Sequence, residues 1–347
     1  MKKSSSGEKF YFDPSPKQKS SLKTAYAALD LGTNTCRLLI VSPKAGGRFH
    51  VLDSYSQVIR LGEGVGADGA LSSLAMTRAI DALKICQEKL SRFFIIGQRF
   101  VATHACRIAT NSQEFITRIV QETGLQLEIL DEKTEAQLAV KGCGSLIYDG
   151  TKGSVLFDIG GGSTQISLLD FSHGRERDLA KNIVSWVCLP VGIISLSEKF
   201  KEEEMHEDYF SQMTKYVYSL LCHFPGRDKL SHLVKDKDFY LLGTSGTATT
   251  LASMHMDLRR YDRRRVDGMW LTQEDLNVLM NRLLCWDLSK RRLNPSIGKD
   301  RAEHILSGCA ILEAIRIMWP SSRIRVADRG LREGILQELL SHSKIFY

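Results

Sequence analysis

The sequence predicts an α/β protein made of two similar halves that face each other across a cleft. Three observations carry this. Two segments share one plan: "ALDLGTNTCRLLIV", beginning at Ala28, and "LFDIGGGSTQISLL", beginning at Leu156. In each, an apolar strand ends in an aspartate, a turn of glycine and hydroxyl residues follows, and the apolar run resumes. Asp30 matches Asp158, Gly32 matches Gly160, and Thr35 matches Thr164 within one residue. Second, strand-like runs alternate with helical periodicity along the rest of the chain. Third, a length of 347 residues exceeds one ordinary domain and suits two.

The elements follow in order. The opening "MKKSSSGEKFYFDPSPKQKSSLK" has lysines but no apolar core, which predicts a disordered basic tail over 1–23 and no secretory signal. One domain is predicted over 24–148 and a second over 149–330, with the C-terminal helix 331–347 a candidate to complete the first. "RFHVLDSYSQVIRLGEGV" follows the first hairpin, and "RERDLAKNIVSWVCLPVGIISLS" follows the second. Strand–helix units come next, at "RFVATHACRIAT" and "DFYLLGTSGTATTLA". Helical patterns lie at about 71–91, 112–123, 132–148, 193–222, 247–257, 272–285, 299–318 and 329–342. Asn111, Ser112 and Glu114 are start signals for the helix at 112.

Composition excludes several classes. With 43% hydrophobic and 25% charged residues the chain reads as a soluble globular protein. No apolar run approaches the roughly 18 residues of a membrane span. The eight cysteines form no C-x-x-C pair, which predicts reduced thiols and speaks against a zinc site. The net charge is +7, and "RRYDRRR" and "KRR" concentrate it in clusters that attract polyanions.

A glycine turn with hydroxyls leaves backbone N–H groups converging with no side chain in the way, which suits an anion. "GTSGTATT" differs in opening a helix, whose first N–H groups and dipole favour phosphate. The chain thus offers three phosphate grips: 30–37, 158–165 and 243–247.

These residues resemble the exopolyphosphatase/guanosine pentaphosphate phosphatase (Ppx/GppA) family of the actin-like ATPase superfamily. The match rests on "ALDLGTNTCRLLI", "ATHACRIATN", "ILDEKTEAQLAVKG", "LFDIGGGSTQIS", "LPVGIISLSEKF", "LLGTSGTATTLA", "RAEHILSGCAIL" and "VADRGLREGIL", spread from about 25 to 337 in family order. The resemblance is to the short, two-domain members. It implies duplicated actin-like (ribonuclease H-like) domains and magnesium-dependent hydrolysis of a terminal phosphoanhydride. The implied substrate is inorganic polyphosphate, with pppGpp (or ppGpp as a ligand) the alternative and a non-catalytic sensor the rival. It also implies a cytoplasmic homodimer, with neither nucleic acid nor membrane as partner.

The resemblance assigns Glu135 as the base that activates water and Arg107 as a donor to the reacting phosphates. Asp30 and Asp158 would hold magnesium, because hard cations take carboxylate oxygens. Thr33, Asn34, Thr35, Gly161, Gly162, Ser163 and Thr164 would cradle phosphate, with Gly246 and Thr247 gripping the next groups. Arg263, Arg264 and Arg265 would hold the chain further out. Gln165 stands where relatives carry a metal-associated glutamate, and it is kept as a candidate metal neighbour. His104 is expected to satisfy a buried carbonyl. Arg301, Glu303 and Asp328 receive no role.

Overall fold

The computed structural model describes residues 23–44, 48–200 and 208–341. The tail 1–22 and the end of the C-terminal segment, 342–347, lie outside them. The first sheet contains β1 (Thr24–Leu31), β2 (Thr35–Pro43), β3 (Phe49–Val58), β4 (Phe94–Ala102) and β5 (Glu128–Ile129), in the order β3-β2-β1-β4-β5. The second contains β6 (Gly153–Ile159), β7 (Thr164–Asp170), β8 (Ile183–Leu189), β9 (Phe239–Thr244), β10 (Trp270–Thr272) and β11 (Arg323–Val326), in the order β10-β11-β9-β6-β7-β8. Each sheet opens with a three-stranded antiparallel meander and continues in parallel, through β4 and β5 in one and β9 and β11 in the other. β1 to β4 therefore correspond to β6 to β9, and β5 to β11. β10 is an antiparallel addition to the second sheet.

Both faces of each sheet are covered, which explains runs such as "AYAALDL" that are apolar without alternation. On β1, Ala25, Ala27, Leu29 and Leu31 face the helices Ser73–Leu90 and Ser112–Thr123. Tyr26 and Ala28 face the other way, toward Leu138, Leu331 and Ile335. Asp30 shares that second face by the period of two. On β6, Leu156 packs with Ala139, Val140 and Cys143, so Asp158 points to the corresponding layer.

One helix, Glu132–Cys143, thus serves both sheets, and Leu331–Ser341 runs against it. The two helices touch backbone to backbone. A Cβ on Gly142 would stand 1.9 Å from the Gly330 carbonyl oxygen, and one on Gly334 would stand 1.9 Å from that of Leu138.

The long periodic segments form helices, with the differences at their ends. The pattern at 132–148 stops at Cys143 and continues as a 3-10 turn, Gly144–Leu146. That at 193–222 gives Ile193–Lys199 and Tyr209–Cys222, with 201–207 outside the described residues. That at 299–318 divides into Lys299–Ala302 and Ile305–Met318. Arg263–Val266 and Leu288–Leu293 are helical turns too short to show periodicity. Asn111 does not cap its helix with its side chain, which instead bonds the N–H and carbonyl of Leu71 at 2.8 and 2.9 Å.

The helix crossing yields a prediction. An added methyl at Gly142 or Gly334 meets backbone that cannot rotate away, and overpacking of this kind costs about 3 kcal/mol. Gly142→Ala and Gly334→Ala should each lower the urea midpoint, and together cost less than their sum because they strain one contact. An unchanged midpoint in either variant would contradict this packing.

Candidate active site

The two hairpin turns are built alike. Gly32 N–H donates to the Thr35 carbonyl at 3.0 Å, and Gly160 N–H to that of Ser163 at 2.9 Å. The remaining carbonyls are tied to the chain after the third strand of each meander. Those of Thr33 and Asn34 accept from Gly62, Ile59 and Arg60 at 2.8–3.1 Å. Those of Gly160 and Gly161 accept from Ile193 and Ile194 at 2.9 and 2.8 Å. The N–H groups of Thr33, Asn34, Gly161 and Gly162 make no hydrogen bond among the described residues. Each turn therefore presents its donors. Gly192 permits this, because a Cβ there would stand 2.5 Å from the Gly161 carbonyl carbon.

Strand register sets the neighbours. Asp30 lies opposite Arg37, and Asp158 opposite Gln165. Thr35 therefore corresponds to Ser163, and Thr164 to Cys36. This corrects the expectation for Thr164. Its side chain is fully buried, and its hydroxyl donates to the Val191 carbonyl at 2.7 Å, so it is spent on the fold. Ser163 and Gln165, on the other face, line a cavity of about 180 Å³ with Asp30, Thr33, Asn34, Thr35, Asp158 and Gly161. Gly162 is not among the cavity walls. Its bare Cα lets His104 and Thr33 approach.

Glu135 also lines this cavity. Asp131 starts its helix by accepting from Thr134 N–H at 2.9 Å, which puts Glu135 in the first turn. Its side chain is 15% exposed, and Arg107 Nη1 donates to it at 2.9 Å. Burial pushes the Glu135 carboxyl up to about 7. Arg107 opposes the shift, while Asp30 and Asp158 add to it. Arg107 does not stand at the cavity wall as expected. The same guanidinium nitrogen also donates to the Leu130 carbonyl at 2.8 Å, so Arg107 fixes Glu135 from behind.

Burial raises Asp158 to about 6; Arg37 and a Ser245 hydrogen bond lower it, and Asp30 raises it. Asp30 is raised too, by burial, against Arg37 and Arg332. Two half-buried carboxyls that burial pushes upward side by side have the chemistry of a cation site. Among the described residues no cluster of three or more His, Cys, Asp or Glu could hold a metal. A pair of acids suits magnesium, which keeps waters and shares substrate oxygens.

The third grip is as expected in position and strained in backbone. Ser245 opens the helix Ser245–His255 at φ 78, and its hydroxyl donates to the Ile159 carbonyl at 2.8 Å. A non-glycine residue held there marks a constrained site. Gly246 and Thr247 line the cavity beside it.

Three buried polar atoms at the site have no hydrogen-bond partner among the described residues: His104 Nδ1, Arg107 Nε and Gln165 Nε2. His104 therefore does not satisfy a carbonyl. Burial, and then Arg107, lower it to about 4, so it is neutral. The arginine cluster stands away from this cavity, with Arg263 on the wall of an adjoining chamber. Arg263 donates to Glu333 at 2.7 Å, while Arg264 and Arg265 are exposed and line none of the cavities described here. Arg37, which was missed, and Arg301, which was named without a role, line the cleft. Arg37 was legible by alternation from Thr35, two residues earlier on the same strand. Behind the two acids a chamber of about 420 Å³ holds Tyr261, Asp328 and Arg332.

The Glu135 environment predicts a titration. Its folded value lies above the ordinary 4.5, so its contribution to stability is full below about pH 4.5 and is lost as pH rises through 7. Glu135→Gln removes that dependence. The stability difference between variant and parent should move in the variant's favour between pH 4.5 and 7, measured by urea unfolding without divalent cations. A constant difference across that window would contradict the placement of this carboxyl.

Comparison with known proteins agrees with this arrangement. The model of the Ppx/GppA phosphatase family matches residues 39–343. A bifunctional 3-dehydroquinate synthase/phosphatase of Fusobacterium nucleatum is 27% identical over 325 residues, covering 90% of this chain and 46% of that protein. A guanosine-5'-triphosphate,3'-diphosphate pyrophosphatase of Aeromonas salmonicida is 27% identical over 326 residues, covering 92% and 60%. The chain thus spans about half to three-fifths of these relatives. The crystal structure of an exopolyphosphatase from Cytophaga hutchinsonii superimposes with a TM-score of 0.81 at 25% identity, covering 93% of this chain and all of that one. The two-sheet, actin-like architecture is shared, and the chain belongs to the Ppx/GppA phosphatase family.

Proposed function

We propose that the protein is an exopolyphosphatase that hydrolyses the terminal phosphoanhydride of inorganic polyphosphate and releases orthophosphate. One observation carries the reading. Glu135, a carboxyl poised near neutrality, lines a cleft walled by two turns whose N–H donors are unused. Phosphoryl transfer needs oxygens held, charge neutralised and a nucleophile aligned, and these groups serve those needs. The N–H groups of Thr33, Asn34 and Gly161 hold the terminal phosphate, joined by the hydroxyls of Thr35 and Ser163. Gly246 and Thr247 take the next group. Neutral His104 and the Gln165 amide add donors from the wall.

Asp30 and Asp158 would hold a magnesium ion, with Gln165 as a neutral neighbour. Bound there, the ion supplies charge neutralisation for the phosphate oxygens. Ionised Glu135 takes a proton from the attacking water, and Arg107 keeps its carboxylate turned toward that water. Retention of this base supports catalysis over a purely sensing role. Homodimerisation and a cytoplasmic location belong to the same reading. No helix among the described residues is long and apolar enough to cross a membrane.

A second reading, hydrolysis of pppGpp, is supported by the chamber beside the acids, which has room beyond the phosphates and an aromatic wall in Tyr261. Polyphosphate and pppGpp present the same terminal bond to the same loops.

The test is Glu135→Gln, which keeps size and removes proton acceptance. Turnover on polyphosphate with magnesium should fall about 100-fold or more, while binding is largely retained. Near-parental turnover in the purified variant would remove Glu135 from the mechanism.

A further inference from the structure

The cleft is continuous with two further spaces. In the chamber behind Asp30 and Asp158, Arg263 pairs with Glu333 and Arg329 with Asp267. On another side the cleft widens into a mouth of about 840 Å³ between the halves. Four cations line it, Arg60, Arg78, Lys299 and Arg301, against Glu63 and Asp300. Arg78 is tied to Glu63 at 2.8 Å and to the carbonyls of Ile59 and Arg60. The side chains of Arg60 and Lys299 make no hydrogen bond or ion pair among the described residues, and they come from opposite halves.

Arg60 is also conformationally unusual. Its φ is 47, a left-handed value that a side chain disfavours. Its N–H donates to the Asn34 carbonyl at 3.1 Å, and its own carbonyl accepts from Arg78 at 3.2 Å. The same bond that ties back the first phosphate turn therefore fixes Arg60 at the mouth. Strain of this kind persists where the surroundings over-determine it, and it concentrates at working sites.

We infer that this mouth, through Arg60 and Lys299, is a distal subsite for the non-reacting part of a polyphosphate chain. The inference rests on the polyphosphate reading above. A polymer of indefinite length needs an open exit, and the mouth is twice the volume of the chamber, about 840 against 420 Å³. It also offers Arg60 and Lys299, whose side chains no ion pair holds among the described residues. Each contact is weak, but contacts along one chain add as linked binding events. This exit replaces Arg263–Arg265 as the distal track, because Arg263 is internally paired and its two neighbours line neither space.

The experiment uses Arg60→Gly combined with Lys299→Ala. Glycine suits the backbone at 60, so the variant keeps the fold. Orthophosphate release is followed with magnesium at low salt, from tripolyphosphate and from a chain of several hundred units. The KM for the long chain should rise about tenfold while that for tripolyphosphate changes less than about threefold, and added salt should narrow the gap. Equilibrium binding of the long chain to a Glu135→Gln background should weaken by a similar factor. Equal KM changes for both lengths, or none for the long chain, would overturn the subsite while leaving the substrate reading intact. A parent that releases no orthophosphate from either substrate would overturn the substrate reading, and the subsite with it.

Discussion

The site depends on where four backbone carbonyls go. Thr33, Asn34, Gly160 and Gly161 give theirs to the segments after β3 and β8. A peptide group whose oxygen is anchored has its N–H direction fixed as well, because the unit is planar, and this fixes the free N–H groups of Asn34, Gly161 and Gly162. The two turns thereby become rigid donor surfaces without any charged side chain in them. The anchoring recurs in both halves, shifted by one position, and Thr33, Asn34 and Gly161 stand on the walls of one cavity. Preorganised donors of this kind stabilise charge without reorganising during reaction.

What the turns leave unsupplied comes from the layer between the sheets. Asp30 and Asp158 end equivalent strands and point into that layer, and the helix Glu132–Cys143 passes through it. Leu138 packs with the first sheet, and Ala139, Val140 and Cys143 with the second. Glu135 is one turn away from both sets. Its position follows from a helix that has to satisfy two cores at once, and the glycine crossing with Leu331–Ser341 lets that helix lie close enough. Burial there raises three carboxyls together, so ionising all of them is costly without a cation beside them. The cation and the anion that the cleft suits would each relieve the cost of the other.

Much of this was legible from residue patterns. The duplicated strand–turn–strand segments fixed the two meanders and named both acids, and Asp131 as a cap placed Glu135 in a first turn. The errors have physical causes. Thr164 was aligned with Thr35 by residue type, but the register counts from the acid, and it puts Ser163 there and turns Thr164 into the core. Arg107 was assigned to the substrate by resemblance; the fold adds its bond to Glu135, which no local pattern shows. Arg263 looked like part of a free basic cluster, since its partner, Glu333, lies far along the chain. Arg301 reaches the cleft through packing of the second half, for which no local pattern exists. The residue opposite the acid also differs between the halves, arginine in one and glutamine in the other. That asymmetry gives the two similar walls different charge: one carries a cation toward the cleft, and the other a neutral amide.

The central claim is that this cleft directs water at the terminal phosphorus of a phosphate chain. It is tested most directly by incubating the protein and magnesium with long-chain polyphosphate in water enriched in heavy oxygen. The account predicts orthophosphate carrying one solvent oxygen per molecule released, with the remaining chains shortened from their ends. Release of short oligophosphates from mid-chain cleavage, or no release at all, would contradict it.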